Sequence, residues 1–123
     1  MVTFSKLPKK NDGGNKKEED KIIRRTFSVD YRLYDKLKYL TDNIYDVSIN
    51  KLVNICIKEL IETENIKLYK LDYKENKMDR TYLIPKSYLT KLEKLKAKYN
   101  ISVTKLINIA IYNAVELEEN NKK

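Results

Sequence analysis

The sequence predicts a mainly α-helical fold with a short two-stranded antiparallel β-ribbon, built from two strand–helix–helix repeats that form an intramolecular pseudo-dimer. Two repeated segments predict this fold. The segment SINKLVNICI at 48–57 recurs as SVTKLINIAI at 102–111, and RTFSV at 25–29 recurs as RTYLI at 80–84. An internal repeat decides the architecture, because each copy is one supersecondary unit that buries its apolar face only against its neighbour.

Each repeat begins with a short strand. Apolar residues alternate with polar ones in both copies, so that Phe27 and Val29 share one face of the first strand. A lone strand of this length leaves its backbone donors and acceptors unpaired. We therefore expect the two strands to pair with each other in an antiparallel ribbon, 24–29 against 79–84.

Two helices are predicted after each strand. The first is amphipathic, with an apolar stripe made of Leu33, Leu37, Leu40 and Ile44 in one repeat and of Leu89, Leu92, Leu95 and Tyr99 in the other. The second begins after Ser48 or Ser102, residue types that suit a helix N-cap, and is apolar nearly all round. Such a helix must be covered on every side, so one repeat alone is not expected to fold.

The repeat also predicts how the chain is divided. We expect a flexible N-terminal arm at 1–20, a first repeat at 21–62, a connector at 63–78, a second repeat at 79–116 and a short polar tail at 117–123. The arm mixes lysines with Asn, Asp, Gly and Glu and has no helical or strand period, which favours a solubilising end; an arm that follows DNA phosphates or contacts a partner is the alternative. A connector of this length can span roughly 50 Å when extended, enough to return the chain to a second strand.

Composition excludes several classes of function. The 123 residues include no histidine, one cysteine and two glycines, so zinc sites, histidine acid–base chemistry and glycine-rich phosphate loops are not expected. We predict no enzyme activity, no metal and no cofactor. No apolar stretch is long enough for a membrane span, and we expect a cytoplasmic protein without membrane contact. A net charge of +8 indicates a polyanionic partner.

The chain resembles the ribbon-helix-helix DNA-binding superfamily, of the Arc, MetJ and CopG type. The resemblance is carried by the order strand, amphipathic helix, short turn and serine-initiated apolar helix, and by IPKSYL at 84–89 followed by SVT at 102–104. It covers about 23–62 and 79–116. Most members are homodimers, and this chain resembles the rarer tandem form, with both protomers fused. The family fold implies a double-stranded DNA partner, with the ribbon in the major groove.

The resemblance also implies which residues contact DNA. Alternate outward strand residues would contact bases: Arg24, Thr26, Ser28, Asp79, Thr81 and Leu83. The start of each second helix would hold a phosphate, through Ser48, Ile49, Asn50 and Lys51 and through Ser102, Val103, Thr104 and Lys105. Two further phosphate contacts are inferred from position and not from the resemblance: Arg25 and Arg80 fall on the inward face by alternation, but at the ribbon's end we expect them to splay toward backbone phosphates. Free N–H groups and the helix dipole favour an anion at a helix start, although plain N-capping by the two serines remains an alternative.

The two strands are not expected to be equivalent. Arg24 can bond guanine bidentately, whereas Leu83 offers only apolar contact and Asp79 would repel phosphate. We therefore predict an asymmetric half-site arrangement dominated by the first strand.

The leading functional prediction is a transcriptional repressor that binds DNA as a monomeric pseudo-dimer, with side-by-side assembly on DNA left open. Two alternatives remain. One is an accessory DNA-binding factor at a conjugative transfer origin, of the TraY type. The other is an antitoxin-like protein-interaction module, against which the short C-terminal tail counts.

Overall fold

Two strands and four helices follow one another in the order predicted from the repeat. In the computed structural model the described residues are 20–67 and 77–121. The elements are β1 (Ile22–Asp30), α1 (Tyr31–Asn43), α2 (Ile49–Thr63), β2 (Lys77–Pro85), α3 (Lys86–Tyr99) and α4 (Val103–Asn121). The prediction of a mainly helical fold with a small two-stranded antiparallel sheet is confirmed.

The strands β1 and β2 pair with each other in antiparallel orientation, and Thr26 lies opposite Thr81 at the centre. Each strand has nine residues, so the ribbon is longer than the predicted pairing of 24–29 with 79–84. Pairing continues beyond the strand end, where the Lys86 N–H donates to the Lys21 carbonyl at 2.8 Å. The extra length leaves fewer backbone groups without a partner.

One face of the ribbon forms part of the hydrophobic core. Phe27, Val29, Tyr82 and Ile84 are all buried, as the alternation predicts. The aliphatic and phenyl side chains among them, Phe27, Val29 and Ile84, each contribute on the order of 1.5–3 kcal/mol to folding by leaving water. The opposite face of the ribbon is therefore the one left to solvent.

The helices α2 and α4 form the centre of the helical layer. They pack against each other, and each also packs against both α1 and α3. Their fully buried side chains include Leu52, Ile57, Leu106 and Ile107, and Cys56 is buried among them. This arrangement explains why both helices are apolar nearly all round.

The apolar stripe of α1 is shorter than the sequence predicts. Its three leucines are buried, but Ile44 is 45% exposed. Ile44 is the C-cap, since α1 ends at Asn43, and it therefore leaves the buried face. In α3 the last residue of the predicted stripe, Tyr99, is also partly exposed, just before the left-handed Asn100 ends the helix at φ 57°.

Three helices are capped by the residue just before them. Asp30 accepts a hydrogen bond from the Arg32 backbone N–H at 2.9 Å at the start of α1. Ser48 and Ser102 accept from backbone N–H groups three residues on, each at 3.1 Å, at the starts of α2 and α4. The predicted serine N-caps are confirmed.

The helix α3 is capped from a distance. Its N-cap position holds Pro85, which makes no side-chain cap bond. Instead the Asp20 carboxylate accepts from the Ser87 backbone N–H at 3.0 Å and from the Ser87 hydroxyl at 2.5 Å. These two hydrogen bonds lower the pKa of Asp20. The start of the described chain is thereby attached to the second half of the molecule.

Several predicted segments fall partly or wholly outside the described residues. The predicted arm at 1–20 lies outside them except for Asp20, and the connector is not described at 68–76. Within the described part, α4 continues to Asn121 and includes the first residues of the predicted polar tail. None of the described helices is both long enough and apolar enough to span a membrane.

Candidate nucleic-acid interface

The outward face of the ribbon presents an array of six side chains, three from each strand, which form three opposed pairs. The opposed pairs are Arg24 with Leu83, Thr26 with Thr81, and Ser28 with Asp79. All six positions are exposed or partly exposed, and the large apolar side chain of Leu83 is 49% exposed. The structure thus brings together every residue predicted to contact bases, because side chains two apart in a strand lie on one face.

Polar groups within the array are bonded across the ribbon. The hydroxyls of Thr26 and Thr81 are 2.6 Å apart, and the Ser28 hydroxyl donates to the Asp79 carboxylate at 2.9 Å. A carboxylate has about four acceptor positions, so Asp79 keeps acceptors for a second partner. The bond from Ser28 also fixes the direction in which that carboxylate points.

The free edge of β1 is held by one buried amide on α4. Asn108 accepts a hydrogen bond from the Asp30 backbone N–H at 2.9 Å. Its side-chain nitrogen donates to the carbonyls of Ser28 at 3.0 Å and Thr104 at 2.9 Å. Two of these bonds attach the fully buried Asn108 of α4 to the edge of β1, and the third stays within α4.

The free edge of β2 is held by two amides on α2. The side-chain amide of Asn50 bonds both backbone groups of Leu83: its oxygen accepts from the Leu83 N–H at 2.8 Å, and its nitrogen donates to the Leu83 carbonyl at 3.1 Å. Asn54, the counterpart of Asn108, donates to the same Leu83 carbonyl at 2.9 Å. Its side-chain oxygen is buried and has no partner among the described residues. The reason is that Pro85 occupies the position matching Asp30 and has no N–H to donate.

One helix N-terminus consequently lies beside each edge of the ribbon. The first N–H groups of a helix have no partner within it, and together with the helix dipole they favour an anion. Ser48 and Lys51 at the start of α2 are exposed, as is Ser102 at the start of α4, while Lys105 is partly exposed.

The other predicted phosphate ligands at these two helix starts are partly buried. Ile49 and Val103 pack against the core, so only their backbone groups can face a ligand. Asn50 is partly exposed but uses its amide on Leu83. Thr104, at the matching position in α4, is partly buried too, and its carbonyl accepts from Asn108.

The two arginines predicted to splay toward phosphates have different surroundings. Arg25 is exposed. Arg80 is partly buried, and its guanidinium carbon lies 4.6 Å from the centre of the Tyr34 ring, within range of a cation–π interaction. Its Nε is buried and has no partner among the described residues. The matching ring position in α3 is Leu89, which offers Arg25 no such contact.

Beneath the ribbon, Tyr82 carries a buried hydroxyl with no partner among the described residues. Desolvation is the main reason that its pKa rises to about 12. The neighbouring phenol of Tyr34 and the thiol of Cys56 also raise this pKa, and the Arg80 guanidinium lowers it.

Two tyrosine–glutamate contacts join the far ends of the helices. Tyr45 donates its hydroxyl to Glu118 at 2.8 Å, and Tyr99 donates to Glu64 at 2.8 Å. Burial, followed by the bond to Glu118, raises the pKa of Tyr45 to about 12. Hydrogen bonds from Lys98 and Tyr99 lower the pKa of Glu64.

Sequence reasoning missed the asparagines that hold the ribbon edges. Asn54 and Asn108 stand at the same place in the repeated segment, each in the middle of an apolar helix. A polar residue kept in both copies of a buried segment was the available signal, because a buried amide requires hydrogen-bond partners.

Comparison of the chain with protein-family models, with curated proteins and with solved structures finds no match. The described residues also contain no group of three or more His, Cys, Asp and Glu side chains arranged to hold a metal ion. The geometry of the ribbon and its two flanking helix starts therefore carries the functional argument.

Proposed function

We propose that this chain is a fused pseudo-dimer of the ribbon-helix-helix type that binds double-stranded DNA sequence-specifically and acts as a transcriptional repressor. The ribbon register is the observation that carries the proposal. Thr26 and Thr81 are matched positions of the repeat and also lie opposite each other. Two copies related by a two-fold axis must place matched positions opposite each other where the axis crosses the ribbon.

Contacts exchanged between the repeats support the same arrangement. Asn108 in the second repeat bonds the Ser28 carbonyl in the first, and Asn54 in the first bonds the matching Leu83 carbonyl in the second. In an isologous interface, each contact recurs with the partners interchanged.

The tyrosine–glutamate contacts follow the same rule. Tyr45 donates to Glu118, and Tyr99 donates to Glu64. Tyr99 follows Tyr45 by 54 positions and Glu118 follows Glu64 by 54, the same spacing as between the repeated segments that begin at 48 and 102. The two repeats thus share one intertwined core rather than two separate ones.

Base recognition is assigned to the outward array of the ribbon. A two-stranded ribbon fits the major groove, where each base pair presents a distinct pattern of donors, acceptors and methyl groups. Arg24 can bond the O6 and N7 of guanine, Asp79 can accept from the N4 of cytosine, and Leu83 can contact a thymine methyl. The hydroxyls of Thr26, Ser28 and Thr81 bond either donors or acceptors.

Phosphate contacts are assigned to the helix starts on either side of the ribbon. Backbone N–H groups at Ile49 and Val103 would face a phosphate, with Ser48, Lys51, Ser102, Thr104 and Lys105 around them. Arg25 adds an exposed positive charge at the ribbon. Asn50 and Arg80 act on the interface through Leu83 and Tyr34, the groups that they contact.

Binding to duplex DNA over a series of salt concentrations tests the proposal. We expect the logarithm of the affinity to fall linearly with the logarithm of the salt concentration, because bound phosphates release counterions. Sequencing the DNA retained by the protein separates the roles: promoter sites support a repressor, whereas sites beside a nicking locus support a transfer factor. Absence of salt-dependent duplex binding would contradict the proposal and leave a protein-interaction module.

A further inference from the structure

A shallow, open cleft rich in lysine lies at one end of the ribbon. It has a volume of about 510 Å³ and is formed by the start of the described chain and the first turns of α3. Four of its lining residues are lysines: Lys21, Lys86, Lys91 and Lys94. The ribbon and the cleft are continuous, because Lys86 directly follows β2 and its N–H donates to the Lys21 carbonyl at 2.8 Å.

The positive charge of this cleft is only weakly offset. The single carboxylate that lines it, Asp20, already accepts two hydrogen bonds from Ser87. Four lysines against one carboxylate leave an excess of three positive charges in the lining. A concentration of one sign of charge in a concave surface attracts a polyanion.

The matching helix α1 is less basic over its whole length: it has Arg32 and two lysines against two aspartates, a net charge of +1, whereas α3 has five lysines against one glutamate, a net charge of +4. The positions of α1 that match Lys86, Lys91 and Lys94 are Tyr31, Lys36 and Tyr39. Tyr31 and Tyr39 are 42% and 52% exposed, so packing does not dictate their identity. The first helices of the two repeats therefore differ at exposed positions, and α3 is the more basic of the two.

We propose that the lysine cleft binds backbone phosphates of the same duplex beyond the segment held by the ribbon, on the α3 side only. This inference rests on the proposed function. From Lys86 to Lys94 the helix rises about 12 Å, which corresponds to about three to four phosphate steps along one strand. The bound DNA is then protected further on the α3 side than on the α1 side.

The test compares two double variants that remove the same charge. Lys91→Gln/Lys94→Gln removes two lysines of the cleft, whereas Lys36→Gln/Lys96→Gln removes one exposed lysine at the matching position of α1 and one on α3 outside the cleft lining. The probe is a duplex of about 40 base pairs with a sequence selected by the wild-type protein at its centre. Affinity is measured between 50 and 200 mM salt, and hydroxyl-radical footprints are recorded. Thermal unfolding checks that both variants are folded.

We expect the cleft variant to lower the salt slope by about 2, with the control close to wild type, because each phosphate contact contributes about 0.9. Its affinity at 50 mM salt then falls on the order of tenfold more than at 200 mM salt. The footprint of the cleft variant should become shorter on one side only.

Three results would overturn the inference. Equal slopes for the two variants would show that only net charge matters, and an unchanged footprint would exclude a flanking contact. A second duplex that carries two adjacent sites measures cooperative binding. If the cleft variant binds this duplex less cooperatively but binds the one-site duplex as the wild type does, the cleft contacts a second copy of the chain and not DNA. If the wild-type protein shows no salt-dependent duplex binding, the proposed function fails together with this inference.

Discussion

At the scale of single residues, the two matched asparagines differ in what they hold. Asn108 is fully buried and bonds three backbone groups, including the N–H of the buried Asp30. Asn54 makes one such bond, and its oxygen has no partner because Pro85 replaces the donor. The two repeats therefore have the same residue at this position, but the two residues contribute differently to the stability of the fold.

We expect Asn108→Ala to lower the free energy of unfolding by about 2–4 kcal/mol, because it leaves the buried Asp30 N–H and the Ser28 carbonyl without their partner. Asn54→Ala should cost about 1 kcal/mol or less, since it breaks one bond and also removes an unpaired oxygen. Urea unfolding of the two variants measures the difference. Equal losses would show that the two amides are equally engaged.

The buried hydroxyl of Tyr82 makes a prediction about alkaline pH. Its pKa rises to about 12 in the folded protein, against about 10 for an unperturbed tyrosine. Because the pKa is higher in the folded state than in the unfolded state, the folded protein keeps its full stability below pH 10 and loses part of it as the pH rises from 10 to 12 and the Tyr82 phenol ionises. The loss amounts to about 2–3 kcal/mol.

Tyr82→Phe should be at least as stable as the wild type at pH 7, because the hydroxyl has no partner among the described residues. It should also lose this part of the alkaline destabilisation. Tyr45→Phe is the matched control: its pKa is likewise raised to about 12, but it gives up the bond to Glu118 and should be less stable at pH 7. Unfolding followed from pH 7 to 11 tests both. A loss above about 1 kcal/mol for Tyr82→Phe at pH 7 would show that its hydroxyl is bonded.

At the scale of elements, the ribbon combines a basic strand with a strand that is apolar and acidic on its outward face. Arg24 is the one cation of the outward array, and Leu83 and Asp79 belong to the other strand. We expect Arg24→Ala to weaken specific binding by about 1–3 kcal/mol and to relax the preference at one base pair.

Arg25→Ala is the matched control for Arg24→Ala, because the two arginines are adjacent and both exposed. Removal of a phosphate contact should weaken binding about equally for all sequences and lower the salt slope by about 1. Gel-shift titrations against the selected site and its single-base variants distinguish these outcomes. An unchanged sequence preference in Arg24→Ala would contradict the assignment of base contacts.

At the scale of the whole molecule, the core is shared between the repeats. The helices α2 and α4 pack against each other, and each strand edge is held by the other repeat. We therefore expect fragments 1–70 and 71–123 to be unfolded as separate monomers. Mixed in equal amounts, the two fragments should form a complex that unfolds cooperatively and has the combined mass of one copy of each fragment. Circular dichroism and analytical ultracentrifugation measure this, and a cooperative unfolding transition of either monomer alone would contradict a shared core.

Much of the fold could be predicted from the sequence, because the repeat and its apolar periodicity constrain each element. Alternation within the strands was enough to predict that the apolar side chains of Phe27 and Tyr82 are buried beneath the ribbon. The capping of α3 by Asp20 could not be predicted, since it depends on where the first strand begins in space. The stacking of Arg80 on Tyr34 could not be predicted either, because strand alternation does not indicate which aromatic ring of α1 lies near the strand.

Selection of duplex DNA from a random pool by the wild-type chain, followed by footprinting, tests the central claim most directly. The claim is that a fused ribbon with two unlike strands reads the major groove. It predicts strong enrichment of a site that is not palindromic, with guanine contacts that disappear in Arg24→Ala. No enrichment over the starting pool, or a perfect palindrome as the preferred site, would contradict it.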